Sequence, residues 1–179
     1  MVKIGLSKIP SGNVYVRIKE RWIRDVRNII KKSNTILPKS TKDQLYRIEN
    51  KNKVSLYFIK KFLINFEIPM EEFEKEIENI TSARSTEIGI KKPKFPLNFE
   101  TKEGARFIAA IMGDGELNKQ LNVRYNNKEK QLINLVLKSA KMLFGKIDYK
   151  IYLRDDGTYQ LHFPKIIGII VSLLGIKPG

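Results

Sequence analysis

Residues able to do chemistry on their own are scarce in this sequence, and the scarcity narrows the choices. There is no cysteine, which excludes a disulfide framework and thiolate metal sites. The single histidine, His162, excludes a histidine-cluster metal site and argues against a Ser-His-Asp triad. Its neighbours alternate as in a strand, the setting of an ordinary strand histidine. Carboxylates remain, and Asp114 stands out among them. It lies in the stretch FIAAIMGDGE (Phe107 to Glu116), in which an apolar run stops at one acidic residue between Gly113 and Gly115. A buried helix finishes on a charge where that charge is solvated, paired or bound to a metal. Glu116 lies close by, but its position alone gives it no role.

The charge balance points to the partner. Lys and Arg total 34 against 19 Asp and Glu, for a net charge of +15. Such an excess favours polyanions, chiefly nucleic acid or an anionic membrane surface. Residues 101–179 hold 13 basic and 7 acidic residues, so both parts of the chain are basic. A basic tail on a neutral body would look different. There is no secretory signal and no apolar run long enough to span a membrane, so a soluble, cytoplasmic protein without a membrane partner is expected.

The elements that must position Asp114 follow from periodicity. MVKIGLSKIPSGNVYVRI reads as two short extended pieces around a Pro-Ser-Gly turn. KERWIRDVRNIIKK (19–32) spaces Trp22, Ile23, Val26, Ile29 and Ile30 as an amphipathic helix with a basic outer face. Residues 33–39 break it. Ser40 or Thr41 then caps a helix carrying Leu45, Tyr46 and Ile48, residues 50–53 turn, and Ser55 caps the next helix. Pro69 opens a third helix, PMEEFEKEIENI, whose five glutamates read as a solvated face. Residues 81–100, with Pro93, Pro96 and Gly89, read as a linker.

Beyond that point the pattern changes. Thr101 to Met112 is helical, and Leu117 to Tyr125 is extended. Lys128 to Phe144 is an amphipathic helix ended by Gly145. KIDYKIYL and TYQLHF alternate around Asp156-Gly157 as a hairpin, and Pro164 starts a last helix. The order is α-β-β-α-β-β-α. The expected class is therefore α+β: a helical domain over 1–80, a linker over 81–100 and an α+β domain over 101–179.

Two family resemblances attach to these parts. Within residues 20–80, Arg47-Ile48-Glu49-Asn50 and Ile68-Pro69-Met70-Glu71-Glu72-Phe73 resemble the end of the recognition helix and the start of the closing helix in lambda-repressor-like helix-turn-helix domains. The resemblance implies a recognition helix whose first turn, with Thr41, Lys42 and Gln44, enters the major groove while Arg47 meets the backbone. The departure is SNTILPKS, which is too short for the family's second helix and contains Pro38.

FIAAIMGDG resembles the nine-residue signature of the LAGLIDADG homing endonucleases, and the accompanying element order strengthens the likeness over residues 101–179. Phe107 to Ile111 take the apolar places, Met112 replaces the first acidic residue, and Asp114-Gly115 keep the closing pair. The resemblance implies that two copies of the Phe107–Gly115 helix pack along small residues, here Ala109, Ala110 and Gly113. It implies a homodimer, since one motif supplies half of the active site and half of the DNA-binding saddle. Two Asp114 carboxylates would then meet at the seam and repel unless a divalent cation such as Mg²⁺ neutralises them. Asp114 becomes the catalytic metal ligand for phosphodiester hydrolysis. The strands would face double-stranded DNA through Lys119, Arg124, Lys150, Tyr152 and Arg154, with Lys146 and Gln160 as candidate polar groups near the cleavage site. A site-specific DNA endonuclease is the leading expectation. The alternatives are a non-cleaving DNA-binding regulator and an RNA-binding splicing helper.

Overall fold

A computed structural model describes residues 2–33, 39–50 and 53–179. In chain order its elements are β1 (Lys3–Ile4), a 3-10 turn (Leu6–Lys8), β2 (Tyr15–Ile18), α1 (Glu20–Ser33) and α2 (Lys39–Glu49). There follow β3 (Val54–Ser55), α3 (Leu56–Asn65), α4 (Met70–Glu74), β4 (Ile77–Thr81), β5 (Gly89–Lys91) and β6 (Leu97–Asn98). The second half holds α5 (Lys102–Gly113), β7 (Gly115–Leu117), β8 (Val123–Asn127) and α6 (Lys130–Phe144). It ends with β9 (Lys146–Ile147), β10 (Lys150–Leu153), β11 (Tyr159–His162) and α7 (Lys165–Ser172). The class is mixed α+β, with antiparallel sheets. Among the described residues no helix is long and apolar enough to cross a membrane.

Three sheets organise the chain. A five-stranded sheet has the order β3-β2-β4-β5-β9, a four-stranded sheet the order β10-β11-β8-β7, and β1 pairs with β6. The helical domain expected over 1–80, with only its first segment extended, contains more strand than that. β2, β3 and β4 build a sheet there, because Val14, Val16, Ile18, Val54, Ile77 and Ile80 are apolar and fully enclosed. Nor are residues 81–100 a free linker. Ile90 pairs with Ile147 across β5 and β9, and Ile4 pairs with Leu97 across β1 and β6. One hydrophobic core accordingly runs from Ile4 to Val171.

Local departures have physical causes. The helix expected over residues 69–80 stops at Glu74, after which Ile77–Thr81 becomes the strand flanked by β2 and β5. Its glutamates are not all solvated: Glu74 is only 5% exposed and accepts the Leu6 N–H at 2.5 Å, while Glu76 pairs with Arg21. Burial pushes the Glu74 carboxyl up, whereas the Arg21 hydrogen bond holds Glu76 down. α2 already begins at Lys39, so Ser40 and Thr41 lie in its first turn and do not cap it. Ser55 does cap α3, accepting the Phe58 N–H at 3.2 Å. The breaks expected near 33–39 and 50–53 fall largely on residues 34–38 and 51–52, outside the described residues.

Aromatic rings pack edge-on within each half. Trp22 stands edge-on to Phe73, with centroids 4.8 Å apart, and Phe107 stands edge-on to Phe144 and Phe163 at 5.2 and 5.5 Å. Edge-to-face packing at such distances adds about 0.5–1.5 kcal/mol per pair beyond simple burial.

Candidate nucleic-acid and metal interface

α5 carries the candidate catalytic carboxylate. Thr101 caps it by accepting the Gly104 N–H at 3.0 Å, and Phe107 and Ile111 anchor its inner side in the core. Asp114 is the C-terminal cap, and its own N–H donates to the Ala110 carbonyl at 3.1 Å. The next residue already belongs to β7, which turns back tightly over the helix. A side chain at Gly115 would place its Cβ 2.4 Å from the Ile111 carbonyl oxygen, so the position admits only glycine. Gly113 differs, having nothing within 4 Å of a Cβ placed there. Of the two glycines flanking Asp114, one serves the turn and the other borders open space.

The carboxylate is exposed and lightly held. Its Oδ2 accepts the Asn127 amide at 3.2 Å, and the Asp114 carbonyl accepts the Asn126 N–H at 3.2 Å. Oδ1 takes no hydrogen bond among the described residues. The Tyr125 hydroxyl lies 3.4 Å from the same Asn127 amide, and burial, then the Asp114 charge, pushes that phenol up. One carboxylate oxygen is thus left unbonded at the helix end, and among the described residues no group of three or more His, Cys, Asp or Glu side chains converges.

The outer face of α5 is apolar and uncovered. Ala105, Ala109, Met112 and Gly113 are exposed, Met112 by 69%. Ile108, Ala109, Met112, Leu173 and Leu174 line a groove of about 590 Å³ there. Ala110, expected on the seam, instead packs partly against the core. The exposed small residues recur as Ala105, Ala109 and Gly113, an i, i+4, i+8 spacing that was present in the sequence.

The four-stranded sheet has one closed and one open face. Leu117, Val123, Tyr125, Leu161 and Phe163 point into the core. The alternate residues Glu116, Arg124, Asn126, Lys150, Tyr152, Gln160 and His162 lie on the other face, half-buried or exposed. Arg124, Lys150 and Tyr152 are therefore brought together as expected for one surface. Lys119 lies in the turn after β7 and Arg154 in the β10–β11 hairpin, so both sit at its ends. Lys146 belongs to β9 in the five-stranded sheet and is not part of this face. Composition gave no sign of Asn126 or His162 as members; strand alternation counted from Gln160 would have found His162. Burial lowers the His162 pKa, reinforced by Arg124 and Lys150 and opposed by Glu116.

The α2 candidates do not share one exposed surface. Lys42 is exposed, Thr41 and Arg47 are half-buried, and the Gln44 Oε1 is enclosed without a partner among the described residues. Thr41 and Gln44 face α3 across a cleft of about 630 Å³ lined also by Phe58, Phe62 and Phe66. The wall that faces Gln44 is mixed, with Ser55, Lys61 and Asn65 beside the aromatic rings.

A scan against protein-family models finds no match to this sequence, and a search of curated proteins finds no relative.

Proposed function

We propose that this protein is a metal-dependent, site-specific double-stranded DNA endonuclease of the LAGLIDADG type that works as a homodimer. The observation that carries the reading is Asp114: an exposed carboxylate at the end of a helix whose outer face is apolar, small and uncovered, beside a basic sheet face. An element order of α-β-β-α followed by β-β-α, with the two-residue β9 inserted, supports it, as does the net charge of +15.

The residues divide the work by chemistry. Ala105, Ala109 and Gly113 let a second copy of α5 approach closely, which brings two Asp114 carboxylates together. Asn127 holds Asp114 Oδ2 and leaves Oδ1 available as a ligand. A divalent cation held by the carboxylates would neutralise charge on the attacking and leaving oxygens of the phosphodiester. Arg124 and Lys150 neutralise phosphates, and Tyr152 with the amides of the open face meets sugars and base edges.

The test is cleavage of sequence-diverse duplex DNA with and without Mg²⁺, comparing wild type with Asp114→Asn and sequencing the product ends. Discrete cuts that need Mg²⁺ and vanish in the variant are expected. Tight duplex binding without cutting by either protein would instead establish a DNA-binding regulator. Preference for structured RNA over duplex would overturn the DNA reading. Ala109→Glu places a charge in the apolar seam, and sedimentation should then show a monomer that has lost cleavage.

A further inference from the structure

On the open face of the four-stranded sheet three polar side chains form a continuous hydrogen-bonded row. His162 Nε2 lies 2.5 Å from Gln160 Oε1, and Gln160 Nε2 donates to Asn126 Oδ1 at 2.9 Å. Gln160 and Asn126 are direct cross-strand partners on β11 and β8, and His162 is the next residue on the same face of β11. The Tyr152 ring stands edge-on to His162 with centroids 4.8 Å apart, fixing the imidazole. At the far end, Asn126 Nδ2 has no partner among the described residues. The backbone of the same residue is tied to Asp114, through the N–H to carbonyl bond of 3.2 Å.

Such a row has a direction. A primary amide donates at one end and accepts at the other, so fixing one amide fixes its neighbour. With His162 Nε2 as donor, Gln160 turns its oxygen to the imidazole and its NH₂ to Asn126. Asn126 must then accept with its oxygen and present its NH₂ outward. The lowered His162 pKa agrees with a neutral ring carrying one N–H, and Arg124, Lys150 and Glu116 are the charged groups that face it. An unrestrained asparagine offers both donor and acceptor and pairs with adenine N6 and N7. An asparagine whose oxygen is already engaged offers chiefly two hydrogens on one nitrogen.

We infer that Asn126 is a specificity-determining residue for guanine, set as a donor by the positioning residues Gln160 and His162, at a base pair next to the cleaved phosphates. Guanine presents O6 and N7 as adjacent acceptors in the major groove, matching two donor hydrogens. The link between Asn126 and Asp114 places the read base pair close to the reacting centre. The inference rests on the duplex-DNA reading proposed above.

The experiment is selection of bound duplexes from a randomised pool, in Ca²⁺ to hold back cleavage, with wild type, Gln160→Glu and Asn126→Ala. A glutamate at 160 can only accept, so Asn126 must donate to it and turn its oxygen outward. Wild type should enrich guanine at one position in each half-site. Gln160→Glu should move that position to adenine or cytosine, whose exocyclic amines donate, changing the base ratio at least about tenfold. Asn126→Ala should lose preference there while keeping it elsewhere. Identical base preference in all three proteins overturns the relay and leaves the DNA reading standing. A wild type that enriches no duplex sequence overturns both.

Discussion

The two larger sheets of this molecule differ in how their cations are paired. In and beside the five-stranded sheet Arg17, Lys53 and Lys91 are matched within the chain, while Lys146 on β9 is exposed and has no ion pair among the described residues. Arg17 and Lys53 both reach Glu87, at 2.9 and 3.1 Å, and Lys91 reaches Asp148 at 2.9 Å. Lys53 is enclosed, with its side chain 3% exposed, and it also donates to the Thr86 carbonyl. In the four-stranded sheet Arg124 and Glu116 stand 3.7 Å apart, and Lys150 has no ion pair among the described residues. Arg17, Lys53 and Lys91 are thus structural cations, and Lys150 is an available one. A basic sequence indicates a polyanion only through the second kind.

Substitutions can break or sharpen that contrast. The largest effect is expected at the boundary of the open sheet. Asp114→Asn keeps the Asn127 contact but offers a poor metal ligand, so the proposed Mg²⁺-dependent cleavage should fall by about a thousandfold or more, roughly 4 kcal/mol of barrier, with duplex affinity unchanged. Filter binding beside a cleavage time course separates the two readings.

On the closed side, Lys53→Ala removes an enclosed stem and its hydrogen bond. Urea melts should show a loss of about 2 kcal/mol, with no change in DNA affinity. Glu74 gives a comparable test with a pH signature. Glu74→Ala leaves the Leu6 N–H without its acceptor and should cost about 1–3 kcal/mol, whereas Glu74→Gln keeps an acceptor without a buried charge. Because burial raises the Glu74 pKa, the folded state binds more protons than the unfolded one. Its contribution is fully present below the ordinary carboxylate value and is lost as pH rises through the raised folded value. Melts of wild type and Glu74→Gln across that window should diverge as pH rises, in favour of glutamine.

The smallest effect on stability is expected on the open face. Lys150→Ala should leave stability within about 0.5 kcal/mol. It should reduce the slope of log affinity against log salt by about 0.9 if Lys150 neutralises one phosphate. An unchanged slope would remove Lys150 from the interface. A large loss of stability would show that the open and closed cations do not differ as described.

Much of the fold was legible locally. Thr101 to Met112, Lys128 to Phe144 and the Asp156-Gly157 hairpin declare themselves through periodicity, capping and turn chemistry, which act over a few residues. Gly157 adopts a φ of 80°, as a turn glycine does. The N-terminal half was less legible. Ile77 and Ile80 fit a helix by spacing and a strand by β-branching, and neighbouring strands decided between the two. The same applies to residues 81–100, whose prolines suggest a linker while Ile90 and Leu97 find partners far away in sequence.

The sequence by itself determined the charge excess, the absence of thiol chemistry, the α+β class and the isolation of Asp114 between two glycines. The charge, the missing thiol and the flanking glycines depend on composition or adjacent residues, so no distant contact can alter them, and the class rests on the locally legible helices and hairpin. Tertiary structure alone decided that Gly115 closes a turn while Gly113 borders space, that Ala110 faces inward, and that Gln44 is enclosed against α3. It also decided which lysines are consumed by ion pairs and which amides line up from His162 to Asn126. The reason is common to all of them: each depends on what packs from elsewhere in the chain, and pairing across strands sets partners that spacing along one strand does not carry.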